Sequence, residues 1–106
     1  MLLEINKNEA ERTLDVMVEG DIDVNSVRQL KKELEENIEA FQPDVIIDCS
    51  KLNYIDSTGL GTLVSVLKKV QKYDGKIRIT ALKPYLFKIF EVTGLAGLFE
   101  IEVAEA

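Results

Sequence analysis

The residues able to do chemistry gather in two short stretches. One reads Asp56-Ser57-Thr58-Gly59-Leu60-Gly61, and the other is G-D-I-D-V-N at Gly20–Asn25. An acid beside a hydroxyl could mimic a hydrolase pair. Adjacent side chains, however, rarely orient for proton transfer. The chain also has no histidine, which removes the usual serine-triad base, the commonest general base and the commonest zinc ligand together. Asp21, Asp23 and Asn25 fit the first three ligand positions of a calcium loop. Its sixth position then holds Ser26 where glycine is needed, and its twelfth holds Lys32 where glutamate is needed. Gly59-Leu60-Gly61 begins a dinucleotide fingerprint, but the third glycine position holds Val64, and no G-x-x-x-x-G-K-[ST] loop exists. Cys49 closes an apolar run and reads as core, as do Phe87, Phe90 and Phe99. The expectation is a protein that is not an enzyme.

What remains is Ser57. It stands where an apolar strand gives way to a helix, so it has two readings. Asp56 or Ser57 could simply cap that helix. Alternatively, the hydroxyl could be a modification switch on a binding surface. The elements around it bear on the choice.

Leu2 to Asn6 reads as a strand, Lys7 to Glu11 as a turn, and Thr13 to Glu19 alternates with period two as a half-buried strand. The pair should form a hairpin at one sheet edge. Gly20 to Asn25 is rich in turn formers. Ser26 is a candidate N-cap or first-turn residue, with Asp23 and Asn25 as alternatives. Val27, Leu30, Leu34, Ile38 and Phe41 follow at helical spacing, and Pro43 marks the stop. Val45-Ile46-Ile47 suits a central strand covered on both faces. Ser50 to Asp56 reads as a loop anchored by Leu52, Tyr54 and Ile55. A second helix should run from Ser57 or Thr58 to about Tyr73, and Asp74-Gly75 should end it. Ile77 to Ala81 reads as a strand. Lys83 to Thr93 reads as a helix with Pro84 in its first turn and Gly94 beyond its end. Leu98 to Val103 reads as a last strand.

The expected order is β-β-α-β-α-β-α-β, an α/β domain spanning residues 1–106 with a mixed, mostly parallel sheet. If the strands ending at Glu19 and Cys49 are parallel, the loops after them leave from the same edge, where open α/β sheets bind their ligands. Asp21, Asp23, Asp56 and Ser57 would then share one acidic, hydroxyl-bearing rim.

The chain has 106 residues, 46% hydrophobic and 30% charged, which fits one soluble globular domain. Its net charge of −6, from 19 acids against 13 bases, disfavours nucleic acid and anionic membrane surfaces. A basic protein partner suits it better. A single cysteine forms no intrachain disulfide, which fits a cytoplasmic setting. No signal peptide or membrane span is expected. A domain of this size is expected to be monomeric when free.

Three features favour a switch. Gly59 and Gly61 strip bulk from around the hydroxyl, so another chain can come close. Leu60, Leu63, Val64 and Val66 spread apolar character around the helix, which suggests surplus apolar surface for docking. A phosphoryl group on Ser57 would sit at the positive end of the helix, where it is tolerated, yet beside Asp56, where it repels.

The chain resembles the anti-sigma factor antagonists, or anti-anti-sigma factors, of the STAS domain family. The residues that carry this are G-D-I-D-V at Gly20–Val24, D-C-S-K-L-N-Y-I-D-S-T-G-L-G at Asp48–Gly61, and V-T-G-L at Val92–Leu95. The resemblance covers essentially the whole chain. It implies that Ser57 is phosphorylated by a partner that is both anti-sigma factor and serine kinase. It also implies that the unphosphorylated form binds this partner and frees the sigma factor, and that a serine phosphatase resets the switch. Asp23, Asp56, Ser57, Thr58, Gly59, Leu60 and Gly61 are the partner-contacting positions it implies. No cofactor of the chain's own is implied, since ATP belongs to the kinase. A STAS module that senses a nucleotide or lipid at the same rim is the alternative.

Overall fold

A computed structural model describes residues 1–105. Five strands and three helices follow one another as β1 (Leu2–Asn8), β2 (Thr13–Ile22), α1 (Val27–Phe41), β3 (Asp44–Ile55), α2 (Ser57–Gln71), β4 (Ile77–Leu82), α3 (Pro84–Val92) and β5 (Glu100–Val103). A short 3-10 turn at Ala96–Leu98 precedes β5. The order is the expected one. The sheet runs β1-β2-β3-β4-β5, with β1 antiparallel to β2 and every other pair parallel.

Strand order equal to chain order has a consequence for the layers. Each parallel crossover is right-handed and steps the same way, so all three helices come to one face of the sheet. Burial agrees. Leu14, Val16 and Val18 on β2, Val45, Ile47 and Cys49 on β3, and Ile77 and Ile79 on β4 join Leu34, Leu67 and Phe90 of the helices in one core. Asp15, Met17, Asp44, Ile46 and Asp48, which alternate with them, are only half-buried. The expectation that β3 is covered on both faces is therefore overturned. Ile46 points to an open face, and the apolar run at Val45–Ile47 places only two of its three side chains in the core.

Two further expectations change. β2 continues to Ile22 and β3 to Ile55, through segments read as loops, because the two strands stay paired as far as Ile22↔Ile55. Leu52 and Ile55 are buried there as anchors, whereas Tyr54 is 49% exposed. The apolar surplus on α2 is not docking surface either. Leu60, Leu63, Val66, Leu67 and Val70 are all buried, and Val64 is half-buried against the same core, because α2 lies against both the sheet and α1 and needs a wide apolar arc. Lys69 of α2 also forms an ion pair with Glu35 of α1 at 2.5 Å.

Local chemistry sets the boundaries. Ser26 holds the N-cap position of α1 but makes no side-chain bond to that helix's amides. Its hydroxyl reaches back instead, accepting from the Asp23 amide and donating to the Asp21 carbonyl, both at 3.0 Å. Gln42 adopts a left-handed conformation (φ 51°) and its amide donates to Ile38 O, closing α1 before Pro43. Pro84 opens α3 at its first turn, and Gly94 follows its end with φ 76°.

Candidate functional site

β2 and β3 carry their chain to the same edge of the sheet. The Asp56 amide donates to Ile22 O at 3.2 Å, tying the end of one strand to the start of α2. Asp21–Asn25 and Asp56–Gly61 thus share one rim, as the strand directions require. Asp21 is exposed, and Asp23 is half-buried with its Oδ1 accepting from the Asn25 amide at 3.0 Å.

At the mouth of α2 the cap belongs to Asp56. Its backbone is extended (φ −100°, ψ −177°), and its Oδ1 accepts from the Gly59 amide at 2.9 Å. Ser57 is the first helical residue and is exposed. Among the described residues its hydroxyl makes no hydrogen bond. The amides of Ser57 and Thr58 precede the helix's own ladder, so the positive end of α2 faces outward beside that hydroxyl. Removing the cap should cost stability. Asp56→Ala is expected to lower unfolding free energy by about 1 kcal/mol, and Asp56→Asn, which keeps an acceptor, by less. Urea denaturation of the two variants measures the difference.

The other expected contact residues divide. Thr58 is exposed, and its carbonyl accepts from Thr62 Oγ1 at 3.0 Å. Gly61 is exposed, with open space where a side chain would be. Gly59 and Leu60 are buried, so their part at this rim is internal. Gly59 lets α2 start hard against the ends of β2 and β3, and Leu60 fills the core below.

Three exposed apolar residues lie in the elements of this edge: Val24 after β2, Tyr54 on β3 and Tyr85 in the first turn of α3. Tyr85 Oη donates to Asn53 O at 2.6 Å, and Lys83 Nζ donates to Asn53 Oδ1 at 3.0 Å. These bonds pin α3 to the extended end of β3. Sequence reasoning passed over Tyr85 and misplaced Tyr54. The usable signal for Tyr85 was its phase, since it falls off the face set by Leu86, Ile89 and Phe90.

Cys49 lies below the rim, buried and free. Burial, helped by the adjacent Asp48 charge, pushes its thiol from 9.0 up to about 12. Between those values the unfolded chain releases a proton that the fold retains. Stability should therefore fall as pH rises above about 9, at up to about 1.4 kcal/mol per pH unit for this group. Tyr73, also raised to about 12 by burial and by Asp44 against the opposing pull of Arg12, acts in the same direction. Cys49→Ser should flatten the alkaline limb of a plot of stability against pH.

A small α/β domain wound in one direction, with helices on one sheet face and a capped hydroxyl rim at the strand ends, is the class these features define. The chain belongs to the STAS domain family: residues 4–106 match that family's model. It is 30% identical over 105 residues to the anti-sigma-B factor antagonist of Listeria monocytogenes, covering 97% of this chain and 90% of that one. Two solved structures share the fold. An anti-sigma factor antagonist from Mycobacterium paratuberculosis superposes with a TM-score of 0.79 at 22% identity, covering 95% of this chain and 86% of that one. The Bacillus cell fate determinant SpoIIAA in its phosphorylated form gives 0.75 at 17%, covering 96% and 92%.

Proposed function

We propose that this chain is an anti-sigma factor antagonist switched by phosphorylation of Ser57. The unphosphorylated rim binds an anti-sigma factor that is also the serine kinase, and so releases a sigma factor. The phosphorylated rim does not bind, and a serine phosphatase restores it. The chain itself acts as a binding module in the cytoplasm, without a cofactor, and not as an enzyme.

The observation that carries this reading is the division of labour at α2. Asp56 holds the cap through the Gly59 amide, which leaves the Ser57 hydroxyl turned outward and free to be modified. A phosphoryl group there adds roughly −1.5 to −2 charges at a helix N-terminus that tolerates them. The same charges would stand beside Asp56 and near Asp21 and Asp23, on the surface a partner must cover. The names of the relatives support the same role. Incubation with the cognate anti-sigma kinase and ATP should add one phosphate, located at Ser57 by fragmentation mass spectrometry. A phosphate on Thr58, Thr62 or Ser65 instead, or none with an active kinase, would overturn the assignment.

A further inference from the structure

We infer that the open face of the sheet, away from the helices, is a second docking surface, for a basic amphipathic protein segment. The inference is independent of the Ser57 rim, which lies at the strand ends. The face is a continuous surface fixed by register. Glu4, Met17 and Asp48 lie side by side across β1, β2 and β3, and Asn6, Asp15, Ile46 and Arg78 form the next row across β1 to β4. At its centre Met17 and Ile46 are half-buried with no helix over them, and Leu2 at its margin is 52% exposed.

Charge selects the occupant. Arg78 and Lys76 both turn to Glu100, at 3.7 and 3.4 Å, and Lys51 stands 4.0 Å from Glu19. Among the described residues, Glu4, Asp15, Asp44, Asp48 and Glu102 have no cation within ion-pair distance. A second copy of this face, an anionic membrane and a nucleic acid would each bring like charge to it. A protein segment with lysine or arginine around a few apolar side chains complements both the acids and the Met17–Ile46 centre. Five strands spaced by about 4.8 Å, averaging about seven to eight residues that rise about 3.3 Å each, give a face of roughly 600 Å². That is below the roughly 800 Å² per side of a standard interface, so binding should be weak and salt-sensitive.

The test is amide chemical-shift mapping of the full chain with a short amphipathic leucine–lysine peptide. A glycine–lysine peptide of equal charge serves as the control. Saturable shifts should centre on Asp15–Met17, Ile46–Asp48 and Arg78–Thr80 and spare Ser57–Gly61. They should fade between about 0.05 and 0.5 M salt. The double variant Asp15→Asn, Asp48→Asn keeps the acceptors for Thr13 Oγ1 and the Ser50 amide, and should weaken binding about tenfold. Shifts at the rim or the helices, equal binding of the control peptide, or no shifts at millimolar peptide would each overturn the proposal. Concentration-dependent shifts of the same amides without peptide would assign the face to a second copy and overturn it too.

Discussion

Gly59→Ala is expected to destabilise the domain by about 2–3 kcal/mol, the range for forcing extra volume into a packed site. A Cβ there would meet Ile55 Cγ1 at 2.7 Å, Ile22 Cγ2 at 2.8 Å and the Ile22 carbonyl oxygen at 2.9 Å. The two side chains can rotate in part. The carbonyl cannot, because it accepts from the Asp56 amide and so holds the rim together. Alanine's better helix propensity returns up to about 1 kcal/mol, which does not offset the clash. Gly61→Ala is the control two residues further on. Nothing lies within 4 Å of its added methyl, so the same propensity gain should appear as stabilisation of about 0.5–1 kcal/mol. Urea denaturation should therefore give shifts of opposite sign. Two shifts of the same sign would sink the packing account of this turn.

The two glycines also show what a sequence withholds. Both stand in D-S-T-G-L-G, and nothing in that string distinguishes the one that packs from the one that clears space. The same holds for Asp56 and Ser57. Either side chain can cap a helix, and only the extended backbone at residue 56 decides which does. Element types and order were legible because they rest on periodicity. Leu14, Val16 and Val18 alternate, and Leu30, Leu34 and Ile38 recur every fourth residue. The extension of β3 to Ile55 was not legible, since Leu52 and Ile55 are three apart and break the period of two where the pairing with β2 shifts register. The uncovered sheet face was hidden for another reason. Val45, Ile46 and Ile47 look equally apolar, and only the side taken by all three crossovers leaves Ile46 outside. The apolar arc of α2 likewise reads as spare surface until α1 is seen beside it. That the strand ends of β2 and β3 share one rim was legible, because it follows from strand direction alone.

Ser57→Asp is expected to weaken binding of the anti-sigma partner by about two orders of magnitude, since like-charge juxtaposition in an interface costs several kcal/mol. Stability should hardly change. An acid in the first turn of a helix contributes roughly 0.3–1 kcal/mol, and Ser57 makes no bond among the described residues that aspartate would break. Ser57→Ala should likewise stay within about 0.5 kcal/mol of the natural protein. It should bind the partner whether or not kinase and ATP are present. The two substitutions therefore separate the switch from the scaffold: one property moves and the other does not. Asp56→Asn, which keeps an acceptor for the Gly59 amide, supplies the third measurement. Combined with Ser57→Asp, it should recover part of the lost affinity, because the repelling pair is reduced to one charge. Titration calorimetry and thermal melts of the natural protein and the four variants decide the matter. If Ser57→Asp lost cooperative folding, the serine would be structural. If it bound as tightly as the natural protein, charge at this rim would not be what releases the partner.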